Sequence, residues 1–241
     1  MKMIEDQRFG EERALYHMQE AHLRNCRFEG AEDGESALKE SRHIVAERCY
    51  FDLRYPFWHV SDLRVTDCEM TEHCRAAMWY DSGVKISGSK LGGIKALREC
   101  RGVELSDCTV NSPEFGWKCE NIAIGNSSIV SEYAFLESKS IRAQGLTFEG
   151  KYSFQYTQDV AIGRSRFKTK DAFWHAKKRD GHRFCDRRRV PGVVFRGADA
   201  RALPYQGNAA SLLLQAPDAH RLHDGGLRPR VRVQRCRGKH T

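Results

Sequence analysis

Apolar side chains return at a nearly fixed interval along most of this chain. The segments LRVTDCEM, VKISGSKL, VELSDCTV, IAIGNSSI, IRAQGLTF and VAIGRSRF begin at Leu63, Val84, Val103, Ile122, Ile141 and Val160, spaced by 21 residues once and then by 19 four times. Two degenerate copies precede them, ending in Cys26-Arg27-Phe28 and Cys49-Tyr50-Phe51. In each full copy the first, third and eighth positions are apolar and the fourth and fifth are polar or Gly. The sixth is Cys or Ser in all but Leu146. Period-two alternation predicts strand. Gly, Asn and Asp in the middle predict a sharp bend through the left-handed backbone region. A third short strand is expected between copies, in PFWHV, AAMWY, KALRE, EFGWK, YAFLE, YSFQY and DAFWH.

Three short strands in 19 residues leave no room for hairpins, because the turn signals crowd too closely. They suit one coil of an all-β, single-stranded parallel β-helix, each strand stacking on its counterpart about 4.8 Å away. Eight such coils would make a prism roughly 40 Å long at that spacing. A leucine-rich repeat has a similar period, but it needs a Leu-rich scaffold and an Asn or Cys at one fixed slot. Here Val, Ile or Ala fill the scaffold as often as Leu, and an aromatic strand takes the helix's place.

The runs DGESALKESRHI, RYPFWHV, CRAAMWYD, GIKALREC, SPEFGWKCENI, YAFLESK, KYSFQY and TKDAFWHAK resemble an uncharacterised bacterial domain family over about residues 4–177. That family is assigned to the right-handed β-helix, pectin-lyase-like superfamily. The resemblance implies a right-handed helix and brings no established activity. Many pectin-lyase-like proteins act on carbohydrate, which raises that class only slightly.

With 241 residues, 40% of them hydrophobic, the chain can bury a sizeable core. No run of 18 apolar residues is present to cross a membrane. The charged start, MKMIEDQRFGEE, lacks the apolar stretch of a secretory signal. A cytoplasmic location and reduced thiols are therefore expected for the nine cysteines. The net charge of +8 suggests a nucleic-acid binder until it is divided along the chain. Residues 178–241 hold 15 Lys+Arg against 5 Asp+Glu, whereas residues 1–177 hold 25 against 27. The basicity belongs to the last quarter alone.

That last quarter also loses the repeat. One reading is a disordered basic tail and another a nucleic-acid arm. A third follows from back-translation. KRDGHRFCDR, written AAA CGT GAC GGT CAC CGA TTC TGT GAT CGT and read one base later, gives NVTVTDSVI, a further copy with its serine at the slot of Phe184. Continued, the shifted frame accommodates two more copies, with cysteines at the slots of Leu203 and Leu222. Residues 1–20 are accordingly read as a cap segment, 21–177 as the β-helix, and 178–241 as a poorly ordered frameshift product. The helix is then truncated, and its last coil is open to self-association. The apolar run Ala209–Leu214 is not expected to pair there.

Chemistry is sought on the third strand. Alternation places Tyr133, Phe135 and Glu137, then Tyr152, Phe154 and Tyr156, then Asp171, Phe173 and His175 on one face. Rings with polar tips suit a sugar or another polar ligand, while stacking between coils would explain the same rings without one. Trp58, Trp79, Trp117 and Trp174 share the opposite phase and read as corner wedges. Glu99 and Glu137 share a column with Lys118 between them, which reads as a charge ladder rather than a glycosidase pair. Asp67 and Asp107 fall in the bend column. Cys49, Cys68 and Cys108 read as core, and Cys68, His73 and Cys74 match no strong zinc spacing. No phosphate loop, nucleotide fingerprint or nucleophile elbow occurs, and no cofactor or metal is implied. The sequence points to a non-catalytic scaffold or interaction protein. Carbohydrate binding or carbohydrate activity is the alternative, and nucleic-acid binding through the tail ranks last.

Overall fold

The computed structural model describes residues 1–30, 34–177 and 210–213. Its elements are all strands and turns. Nine parallel strands, from Lys2–Glu5 to Gln158–Gly163, stack in chain order as the first side of a β-solenoid. A second side stacks nine shorter strands in the same order, from Arg8–Phe9 to Arg166–Lys170. The third side is strand only in Phe57–Trp58, Met78–Trp79 and Leu97–Arg98. The parallel β-helix read from the sequence is therefore present.

It has nine coils where the repeat suggested eight. The segment 1–20, expected as a cap, holds the first coil and the start of the second coil's strand Gln19–Arg24, with Lys2 paired to Ala21 and Arg8 to Arg27. Only Ile4 and Leu15 are buried in that stretch, with Phe9 packed against the core, so polar neighbours dilute its period. Coil lengths follow from register: Ala21 pairs with Ile44, 23 residues on, Leu63 with Val84, 21 on, and Val84 with Val103, 19 on. The longer step after Leu63 is taken up in a turn around Thr71–Arg75 that leans on the next coil. A side chain at Gly92 would lie 2.8 Å from the Met70 and Thr71 carbonyl oxygens, so only glycine fits beneath that turn.

The bend read from each copy is a column of left-handed residues, one per coil. Asp6, Asn25, Arg48, Asp67, Gly88, Asp107, Asn126, Gly145 and Arg164 all have φ between 43° and 68°. Asn, Asp and Gly carry this conformation at least cost. Asp67 and Asp107 sit in it, as expected.

The sixth-position Cys and Ser have a physical reason. At this corner a buried backbone N–H has no strand partner, and the side chain of the next coil accepts it. Cys68 Sγ takes the N–H of Cys49 at 3.3 Å, Ser89 Oγ that of Cys68 at 3.0 Å, and Ser127 Oγ that of Cys108 at 3.1 Å. A second interior column repeats the device. Ser41 Oγ accepts Met18 N–H at 3.0 Å, Asp81 Oδ1 accepts Val60 N–H at 2.8 Å, and Ser138 Oγ accepts Cys119 N–H at 3.0 Å. Ser89→Ala strands the Cys68 N–H and is expected to cost about 1–3 kcal/mol in urea denaturation. Ser89→Cys should cost much less, because a thiol already serves at neighbouring rungs.

Beyond the repeat, Ala210–Leu213 pairs antiparallel with Arg166–Lys170. This corrects the expectation that the apolar run would not pair there. The edge of the last second-side strand offers unpaired backbone groups to any β-prone segment, whatever its register. The frameshift reading, the disorder expected for the tail and its basic stretches lie outside the described residues.

Candidate functional site

The third side explains where the expected site residues go. Its backbone does not alternate as a strand in the last coils. Tyr133, Phe135 and Glu137 all have φ of 56–59°, as do their counterparts within a few degrees: Tyr152, Phe154 and Tyr156, then Asp171, Phe173 and His175 at 52–63°. Left-handed residues rotate the chain, so every second side chain no longer shares a face. The middle member of each triplet turns inward. Phe135, Phe154 and Phe173 are at most 2% exposed and stack at 4.8 and 4.7 Å. These three belong to the core and cannot contact a ligand, which corrects the reading from alternation. The outer members remain at the surface, with Tyr133 43% and Tyr156 53% exposed.

The tryptophans occupy the place left between them. Backbone hydrogen bonds align Lys39, Trp58, Trp79, Arg98, Trp117, Leu136, Gln155 and Trp174 as one outward column, flanked by the Tyr133–Tyr152 and Tyr156–His175 corners. Reading them as wedges of the opposite phase missed this. The signal lay in the same 19-residue spacing, but assigning directions needed the left-handed corners.

Most rings in these columns face one another along the solenoid. Trp58 and Trp79 stack at 5.0 Å with planes 9° apart, Tyr133 and Tyr152 at 5.1 Å and 24°, Tyr156 and His175 at 5.0 Å and 10°. Lys39 lies 3.9 Å from the Trp58 centroid and Arg98 4.4 Å from that of Trp79, so both outer faces of that pair are taken. The Trp58–Trp79 pair therefore shows solvent its ring edges, which carry partial positive charge, while the Tyr133–Tyr152 and Tyr156–His175 stacks add phenol hydroxyls and imidazole to the same surface. Trp174 differs. It is 58% exposed, and among the described residues no ring stacks on it.

The carboxylates of this side are structural. Lys118 lies 3.9 Å from Glu137, one rung of the expected ladder, whereas Glu99 pairs at 3.1 Å with Arg98, its neighbour in sequence. Asp81 is the unusual acid. It is 1% exposed, and burial, reinforced by the neighbouring Cys100, pushes its carboxyl well above the usual carboxylate range. Only its Oδ1 has a partner. Asp81 lines a shallow pocket with Glu99 and Glu120, which are ion-paired to Arg98 and Arg101.

All seven described cysteines are buried and unpaired. Cys68 and Cys74 face the core, and burial pushes the Cys74 thiol up to about 11. His73 points away to Asp52, 2.7 Å from Oδ1, and that hydrogen bond raises its imidazole. The three therefore do not converge on a metal. A shallow groove lies at another corner, lined by Pro113, Val130, Lys151 and Lys170, and contains none of the expected site residues. Among the described residues, no helix is long and apolar enough to cross a membrane.

Residues 2–180 match the family described as "Protein of unknown function (DUF3737)". The solved structure of trypsin-treated QnrB1, described as "a plasmid-mediated fluoroquinolone resistance protein", is similar over 73% of this chain and 89% of its own, at 10% identity and a TM-score of 0.26. No curated protein matches the chain.

Proposed function

The chain belongs to the DUF3737 family, and we propose that it is a non-catalytic solenoid that engages a partner through the outer columns of its third side. One observation carries this reading. Of the exposed rings Tyr16, Tyr80, Tyr133, Tyr156 and Trp174, the last three gather on the last three coils of that side, with Tyr152, Leu136 and His175 between them. Scattered surface rings need no explanation, but clustered Tyr and Trp on a rigid scaffold are what interfaces use as anchors. Rings stacked along the axis are held by their neighbours, so little side-chain entropy is lost on binding.

The Trp58–Trp79 edges and the tyrosine hydroxyls favour a protein surface over a sugar, whose apolar face needs a free ring face. Carbohydrate binding remains the second reading because Trp174 does offer one, and because of the pectin-lyase-like resemblance. Photo-crosslinking from position 156, with Arg64 on the first side as control position, separates these. We expect a discrete protein adduct from 156 alone, lost in a Tyr133→Ser/Trp174→Ser variant. Identical adduct patterns from 156 and 64 would refute the reading. Binding on a glycan array that disappears in Trp174→Ala would transfer the site to carbohydrate.

A further inference from the structure

The interior holds a cluster that the outer columns do not use. Asp81, Cys100 and Cys119 occupy successive rungs of one buried column, since Ser82 pairs with Arg101 and Arg101 with Glu120. All three are at most 1% exposed. Cys119 Sγ accepts the Cys100 N–H at 3.3 Å. The fold does not require sulfur here, because Ser41 and Ser138 do the same work in the same column. Asp81 Oδ2 is buried without a hydrogen-bond partner among the described residues. An unpartnered carboxyl oxygen beside a thiol calls for an acceptor that the resting side chains do not supply.

We propose that Cys100 and Cys119 form a binding site for a soft, two-coordinate monovalent cation, with Cu(I) as its representative. Thiolate sulfur selects such ions over hard ones. Stacked rungs are about 4.8 Å apart. Two metal–sulfur bonds, taken as near the ~2.3 Å of zinc thiolates, span about 4.6 Å in a line. Rungs at this spacing also lie within the Cα range of a disulfide, but both thiols are free. On binding, each thiol releases its proton to solvent and each sulfur donates a pair to the ion. The complex carries one negative charge. The Cys100 N–H already points at Cys119 Sγ, and the Asp81 carboxyl can donate to the Cys100 thiolate, so the charge is met by two hydrogen bonds. Cys49 and Cys68 stack in the same way, with 3.3 Å between N and Sγ and Cys26 on the rung before them, but no carboxyl occupies their column. They serve as the internal comparison.

This site is independent of the outer aromatic columns, and its test does not involve them. The full chain, reduced and free of oxygen, is refolded with Cu(I) so that entry is not limited by the closed coils. It is then challenged with a Cu(I) chelator and weighed by native mass spectrometry. The wild type should retain one ion, and Cys100→Ser/Cys119→Ser should retain none. Cys49→Ser/Cys68→Ser should retain it still. Serine already occupies these columns, so both variants are expected to fold, and circular dichroism checks this. A folded Cys100→Ser/Cys119→Ser variant that keeps the ion would overturn the proposal, as would a wild type that yields all its copper to the chelator. Should the variant not fold, X-ray absorption of the loaded wild type decides. Two sulfur neighbours are expected, and three or four would refute the site.

Discussion

Asp81→Ser should make this protein more stable at neutral pH, and the gain should vanish in acid. Asp81 is fully interior, and burial, followed by Cys100, holds its carboxyl protonated well above the usual range. The sign follows from linkage. Below the unfolded value, near 3.8, both states carry the proton and the group costs nothing. As pH rises past that value the unfolded chain ionises and the folded one does not. Each pH unit then costs the native state about 1.4 kcal/mol, until the folded carboxyl itself titrates. Serine escapes this and keeps the backbone contact, because Ser41 and Ser138 accept the corresponding N–H in the same column. In a chain of this size each kcal/mol is about 2–4 °C in melting temperature. Melting curves of both proteins from about pH 3 to about pH 8 should therefore diverge with rising pH. Parallel curves would show that Asp81 is ionised or solvated in the folded state.

Asp81 also shows where sequence reading reaches its end. The column it occupies is legible once the period is found, because a register of 19 residues aligns Cys100 with Cys119 and Ser138. That period comes from alternating burial on two sides, which apolar residues report directly. The third side was legible only in position and not in direction. Tyr133, Phe135 and Glu137 alternate in sequence just as a strand does, but a strand places all three on one face. Their left-handed backbone buries the phenylalanine and leaves the other two outside. Non-glycine residues in that conformation leave little trace in composition, since neither Phe nor Tyr favours it. The first coil was missed for a simpler reason. Ile4 and Leu15 are its only buried apolar residues among those described, with Phe9, Ala14 and Met18 packed against the core from its edge, and charged residues crowd between them.

The sharpest test of the corrected third side is Phe154→Ala. Phe154 lies between Phe135, at 4.8 Å, and Phe173, at 4.7 Å, and touches Phe148 at 5.5 Å. Removing it leaves a cavity at the centre of a ring stack that spans three coils. Such a change costs about 3–5 kcal/mol in a packed core. In a solenoid each coil is held by its neighbours, so the loss should spread to the rungs on either side. Tyr156 is two residues on and 53% exposed. Its replacement by Ala removes one stacking contact with His175, worth about 0.5–1.5 kcal/mol at most. Urea denaturation of the two variants should thus differ several-fold in lost stability, with Phe154→Ala far the worse. Hydrogen exchange should show Phe154→Ala releasing the amides of coils eight and nine first, while Tyr156→Ala leaves them protected. If the two substitutions cost the same, Phe154 is not in the core, and the face read from strand alternation would have to be restored.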